Sequence, residues 1–134
     1  PAAPSLKPLP LQDHEEECDE RFGALTAVLL WVANMTRPDI SNSVRALARH
    51  MQAASKKHWK AGLKVLKFLR LTRDWGITFQ KTGKLKLYAY ADSSYAGDEG
   101  GRRSVSGGVV MFAGAAVSWF SRTQRCVALS STEA

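Results

Sequence analysis

The sequence predicts an α+β chain in which a three-helix N-terminal segment leads into a sheet of short strands. Apolar residues recur at helical spacing up to about residue 75, and beyond Asp74 the hydrophobic period shortens to two. Pro38 and the turn glycines Gly83 and Gly114 mark where elements stop. With 134 residues, 45% of them hydrophobic, the chain can bury one modest core, so one domain or two partial ones is expected.

Residues 1–13 hold four prolines and read as an extended lead-in or linker. After the acidic run Glu15-Glu16-Glu17, residues Phe22, Leu25, Val28, Leu29 and Val32 fall on one helical face. This first helix should end near Thr36, because Pro38 disfavours helix at the residue before it and suits the first turn of the next. A second helix is expected over 39–53, burying Ile40, Val44, Leu47 and Met51. Ser55 is a fitting N-cap for a third. Its inner face is read as Trp59, Leu63, Leu66 and Leu69, its outer face as Lys57, Lys60, Lys64 and Lys67. Short connections favour a small bundle.

Strands are expected over 76–80, 85–92, 105–112 and 116–121, with turns at 81–84 and 113–115 and a polar loop at 97–101. In the second of these, Leu85, Leu87, Ala89 and Ala91 face one way while Lys86, Tyr88, Tyr90 and Asp92 face the other. Residues 126–129 read as a further short strand or an entry to a helix. Ser130-Ser131-Thr132-Glu133 has the form of a helix start, with a hydroxyl cap and an acid in the first turn.

Charge and composition narrow the function classes. A net charge of +7 and a pI near 9.7 point to a polyanionic partner, most commonly nucleic acid. No apolar run reaches the roughly 18 to 20 residues of a membrane span, and the proline-rich start lacks the order of a secretory signal, so a soluble intracellular chain without membrane contact is expected. Cys18 and Cys126 lie far apart without metal-type spacing, and two free thiols in a reducing compartment are read. His14, His50 and His58 show no ligand spacing. Trp31, Trp59, Trp75 and Trp119 are read as core or packing residues rather than base-stacking platforms.

Several short motifs, in order along one chain, resemble copia-type retrotransposon polyproteins: Thr36-Arg37-Pro38-Asp39-Ile40, His58-Trp59, Ala96-Gly97-Asp98, Arg102-Arg103-Ser104, Ser118-Trp119 and the terminal Ser130-Ser131-Thr132-Glu133-Ala134. The middle of the chain resembles the region after the reverse transcriptase, and the end resembles the start of the ribonuclease H domain. That resemblance implies three regions: a lead-in at 1–13, a helical connection segment at 14–75, and the N-terminal portion of a ribonuclease H-like domain at 76–134, its mixed sheet truncated at Ala134. It also implies hydrolysis of the RNA strand of an RNA/DNA hybrid during reverse transcription. Two Mg2+ ions about 4 Å apart would activate the attacking water and stabilise the leaving oxygen. A cytoplasmic particle or the nucleus is the implied location, and the rest of the polyprotein the implied partner.

The resemblance assigns the first metal-binding catalytic acid to Asp92, at the end of a strand that would aim it rigidly. Read without that resemblance, an Asp followed by serines is an ordinary turn. Glu133 is the candidate second acid, although the family's functional Glu aligns just beyond Ala134, which leaves Glu133 as a helix first-turn acid. One carboxylate does not make a two-metal site, so no hydrolase activity is expected of this chain alone. Ser94 and Tyr95 stand where the family more often has a second acid and a tryptophan. No Tyr-x-Asp-Asp motif is present, and polymerase activity is excluded.

The basic residues admit two readings. Lys57, Lys60, Lys64 and Lys67 form the solvated face of an amphipathic helix, or they track the backbone of a template-primer duplex or hybrid. Arg102, Arg103 and Ser104 contact phosphate, or they form an ordinary turn. The alternative to a nuclease fragment is therefore a non-catalytic basic module that binds nucleic acid, or an inert relic of the element.

Overall fold

The computed structural model describes residues 21–81, 85–95 and 103–132. The chain divides between Trp75 and Gly76 into two units. The first contains α1 (Phe22–Met35), a 3-10 turn (Pro38–Ile40), α2 (Ser41–Ala48) and α3 (Lys56–Leu71); the second contains β1 (Leu87–Ser94), β2 (Val105–Phe112) and β3 (Ala115–Thr123). This is the α+β class that the change of period implies.

The helical unit closes a core of its own. α1 is apolar or neutral throughout and buries Phe22, Thr26, Leu29 and Ala33, one seam at helical spacing. Ile40, Val44 and Leu47 meet that seam from the 3-10 turn and α2, and Ala61, Val65 and Phe68 meet it from α3. Burying each large aliphatic side chain contributes roughly 1.5–3 kcal/mol. Gly62 permits close packing of α3, since a Cβ there would lie 3.0 Å from Leu25 Cδ2.

Arg37 ties the turn between the first two helices to the end of α3. Its Nε and Nη2 donate to Asp39 Oδ1 at 3.0 Å and Oδ2 at 2.7 Å. Nη1 donates to the Thr72 carbonyl at 3.0 Å, and Nη2 also donates to Thr72 Oγ1 at 2.7 Å. The guanidinium carbon sits 5.6 Å from the centroid of the Phe68 ring. A bidentate carboxylate and two further acceptors satisfy a charge that would otherwise be costly to bury. The run Thr36-Arg37-Pro38-Asp39-Ile40 thus has a structural role: Pro38 opens the 3-10 turn, Asp39 orients Arg37, and Ile40 enters the core.

The start of α3 is held by Ser55 and His58. His58 Nδ1 accepts the Ser55 backbone N–H at 3.0 Å and lies 2.9 Å from Ser55 Oγ, closing the capping box from both sides. The buried His58 ring stacks on His50 with centroids 4.1 Å apart.

Three expectations for the helices change. The inner face of α3 is His58, Ala61, Gly62, Val65 and Phe68, with the expected Trp59 and Leu69 partly buried against the same core. Leu63 and Leu66 are exposed, at 41% and 46%, while Val65 is at 0%. The lysines and leucines interleave so that two apolar seams satisfy the same spacing, and packing selects the one whose small members let α3 approach. Val28 on α1 is exposed as well. α2 ends at Ala48 rather than 53: the next residues tighten into i→i+3 bonds, from His50 N–H to Leu47 O and Met51 N–H to Ala48 O, which leaves Met51 outside the core.

The second unit is a meander in the order β1-β2-β3, antiparallel at both pairings. The β2–β3 hairpin turns through Ala113 (φ 50) and Gly114 (φ 79), a two-residue connection whose twist matches the strands. One face carries Leu87, Ala89, Val110, Phe112 and Phe120, the other Tyr88, Tyr90, Val109, Met111 and Trp119, with an irregularity between Val110 and Met111. The Phe120 ring lies over Gly108, where a Cβ would come within 2.5 Å of Cε1. Both faces are apolar, the pattern of a sheet covered on both sides. Yet the buried residues of this unit, among those described, are Ser104, Ala113 and Ala115.

The expected mixed sheet is therefore corrected to an antiparallel one among the described residues. Two-residue hairpins join antiparallel neighbours, whereas a parallel pair needs a long crossover. Residues 76–80 form no strand: of that stretch, Gln80 N–H reaches a carbonyl, that of Ala113, at 3.1 Å, and one bond is not a ladder. Residues 126–129 form neither strand nor helix, and 131–132 are a turn.

Candidate functional site

Asp92 sits near the C-terminal end of β1, opposite Gly107 of β2. The register places its side chain on the face of Tyr88, Tyr90 and Trp119. Its Oδ1 accepts the Ser93 backbone N–H at 2.8 Å, and the residue is exposed. The position across from it carries no side chain; a Cβ at Gly107 would meet the Phe120 carbonyl oxygen at 3.8 Å and nothing nearer. The carboxylate is therefore accessible, oriented by a neighbouring amide, and bordered by open space.

Magnesium takes about six hard oxygen ligands in near-octahedral array and commonly uses one or two protein carboxylates with water and phosphate. Asp92 fits as one such ligand. Among the described residues no three His, Cys, Asp or Glu side chains gather into a metal centre. Glu133, the other expected acid, lies outside the described residues, as does Arg102.

The lysines meet the expectation of a single face. Lys57, Lys60, Lys64 and Lys67 are all exposed, and their spacing of three and four places them along one side of α3. No acid occurs in the 16 residues of that helix. Arg103 is exposed, whereas Ser104 is completely buried, and its carbonyl accepts the Gln124 N–H at 2.8 Å. Of that pair, only Arg103 is presented to solvent. The lysines lie on the helical unit and Asp92 on the sheet unit.

Of the tryptophans expected as core or packing residues, Trp59 packs against the helical core and Trp75 against Phe68, whereas Trp31 departs from that role. Trp31 is 63% exposed, and Trp75 is half exposed while still packing its ring edge against Phe68 at 6.2 Å. Trp59 is half-buried, with the Arg21 guanidinium 5.7 Å from its centroid. Cys126 is a free, exposed thiol. No helix of the described residues is long and apolar enough to cross a membrane.

Sequence reasoning missed the Arg37 clamp and the His50–His58 stack. The only available signal was the Arg-x-Asp spacing across a proline, which permits a local ion pair but does not name Thr72 as the distant acceptor.

No family model matches the chain, and no solved structure matches it. The chain is 40% identical over 105 residues to the secreted RxLR effector protein 161 of Plasmopara viticola, an alignment covering 78% of this chain and 74% of that protein. It is 36% identical over 113 residues to the retrovirus-related Pol polyprotein from transposon TNT 1-94 of Nicotiana tabacum, covering 84% of this chain and 8% of the polyprotein. It is also 36% identical over 135 aligned positions to the corresponding polyprotein from transposon RE1 of Arabidopsis thaliana, covering 100% of this chain and 9% of that one. The chain thus belongs to one sequence family with the effector protein 161, and it is similar along most or all of its length to segments of retrovirus-related Pol polyproteins from plant transposons. It spans less than a tenth of the length of either polyprotein.

Proposed function

We propose that this chain is the part of a copia-type Pol polyprotein that links the reverse transcriptase to ribonuclease H. Residues 14–75 act as the helical connection segment, and residues 76–134 as the N-terminal portion of a ribonuclease H-like domain. The observation that carries this reading is the collinear likeness to one polyprotein along the entire chain, joined to an antiparallel meander that presents Asp92 on its first strand.

In this reading the lysine face of α3 contacts the phosphates of an RNA/DNA hybrid or template-primer duplex, and Arg103 is a separate candidate phosphate contact within the sheet unit. Such contacts position the duplex without reading its sequence. Asp92 would hold Mg2+ through its carboxylate, with the Ser93 amide fixing the rotamer; the metal would activate water and neutralise charge on the leaving oxygen. The remaining ligands would have to come from residues other than those described, and the isolated chain is expected to bind hybrid without cleaving it.

The test is hybrid binding by fluorescence anisotropy across a salt series. Lys60→Ala with Lys64→Ala should weaken binding and flatten the dependence of log K on log salt by roughly 1.8, about 0.9 for each phosphate that is no longer neutralised. Binding that ignores salt, or a double variant that binds like the parent, contradicts the reading. Asp92→Asn should leave hybrid affinity unreduced, and in the polyprotein it should abolish Mg2+-dependent cleavage. Surviving cleavage would remove Asp92 from the metal site.

A non-catalytic nucleic-acid-binding module is the second reading, favoured by a helical unit that closes its own core and carries the lysine face. It predicts that a polyprotein with Asp92→Asn cleaves as the parent does. The Arg-x-Leu-Arg sequence in the effector protein's name does not occur in these 134 residues.

A further inference from the structure

The two edges of the sheet differ in character. Among the described residues β1 pairs with β2 alone, so a row of its backbone N–H and C=O groups faces no neighbouring strand. Seven of its eight residues are exposed, and an open groove is lined by Lys86, Leu87, Tyr88, Ala89 and Tyr90. Consecutive residues alternate between faces, so a groove that touches five in a row follows the strand edge itself. β3, the other edge, is blunted. The irregularity between Val110 and Met111 interrupts its ladder with β2, and Arg122 near its end has no acid on the same strand to match it.

The order of side chains along β1 is self-complementary. Lys86, Tyr88, Tyr90 and Asp92 share one face, and Leu87, Ala89 and Ala91 share the other. Two copies related by a two-fold axis normal to the sheet pair antiparallel and keep each face on its own side. With Ala89 opposite Ala89 on that axis, Tyr88 stands opposite Tyr90 of the second copy, Leu87 opposite its Ala91 and Lys86 opposite its Asp92. Symmetry repeats each pair. Opposite charges and aromatic rings directly across a ladder both favour pairing. Tyr88 and Tyr90 already meet edge-to-face within one chain, with centroids 5.6 Å apart, and the second copy extends that contact to four rings. A two-residue shift in either direction sets Lys86 against Ser94 or Tyr90 instead, and both ion pairs are lost.

We propose that β1 joins β1 of a second copy edge to edge, in the register that sets Lys86 against Asp92, giving a six-stranded antiparallel sheet. The occupant is a second copy because the charge pattern matches itself: the cation and the anion each lie three residues from Ala89. Seven paired residues a side is far fewer than the roughly 20–30 of a standard interface, so the dimer is weak and forms at high concentration. This contact is independent of the nuclease reading, although the two compete for Asp92.

Sedimentation equilibrium of the full chain over a concentration series reads the association, and charge swaps fix the register. Lys86→Glu alone sets Glu against Asp twice, and Asp92→Lys alone sets Lys against Lys twice; each should weaken self-association at least about tenfold. In an equimolar mixture the heterodimer regains both attractive pairs, and it should associate within about threefold of the parent. Restoration by mixing also shows that both variants fold. In the parent itself, backbone amide NMR shifts of residues 86–92 should move with protein concentration while those of 115–123 stay fixed. A parent that stays monomeric to roughly 1 mM, swaps that associate like the parent, a mixture as weak as either variant alone, or concentration-dependent shifts confined to β3 or the helices overturns the proposal.

Discussion

In the helical unit Ile40, Val44 and Val65 are completely enclosed, whereas in the sheet unit Leu87 stands 70% exposed on β1 and Phe120 about half exposed on β3. Both regions are rich in apolar residues, but only one folds them against each other. Three helices with apolar stripes can turn those stripes inward and close a core. A three-stranded meander cannot, because each strand alternates and the two resulting faces point apart. The apolar character of both faces is what a sheet carries when other elements cover it on both sides. The comparison teaches that hydrophobic content by itself says little about independent stability; the geometry that pairs the apolar surfaces decides it.

The largest expected effect tests the core of the helical unit. Val65→Asp places an unpaired charge at a fully enclosed position and should cost more than about 4 kcal/mol, in practice unfolding the helices. Leu63→Asp, two residues earlier on the exposed side, should cost less than about 1 kcal/mol. Chemical denaturation followed by far-UV circular dichroism separates them. Equal sensitivity would mean that the inner face of α3 is wrongly placed.

A smaller loss is expected from the clamp. Arg37→Ala removes both Asp39 contacts and both Thr72 contacts, and should destabilise the helical unit by about 2–4 kcal/mol, less than a fully enclosed pair because Asp39 is partly exposed. Arg37→Lys should recover only part of this, since an ammonium cannot hold the bidentate carboxylate and the Thr72 oxygens together. Full recovery by lysine would reduce the clamp to a simple charge. The smallest effect belongs to the sheet: Gly108→Ala pushes on the Phe120 ring at a cost of about 1 kcal/mol, while Gly107→Ala, with open space around it, should be close to neutral. Identical behaviour of the two glycine variants would contradict the register.

Much of this was legible in the residues. The change of period from helical to alternating located both regions, Pro38 located the helix boundary, and the limits 105–112 of the middle strand are those observed. Which seam of α3 faces inward was only partly legible: Trp59 and Leu69 do pack against the core, but Leu63 and Leu66 are more hydrophobic than His58, Ala61 and Gly62 and yet face out. Closeness of approach, with Gly62 against Leu25, outweighed side-chain hydrophobicity. The strand expected at 76–80 failed because alternation describes compatibility with a ladder, and a ladder also needs a partner. At the site, the face of Asp92 followed from strand alternation and the lysine stripe from helical spacing. The burial of Ser104 beside exposed Arg103 depends on the strand end and the Gln124 contact, which no local pattern reveals.

Native-state amide hydrogen exchange tests the central contrast most directly, because it reports opening residue by residue. The account predicts strong protection at Leu29, Val44 and Val65, and protection weaker by at least about tenfold along β1 and β3 of the same molecule. Equal protection in strands and helices would contradict it and show that the sheet unit is stabilised as fully as the helical one.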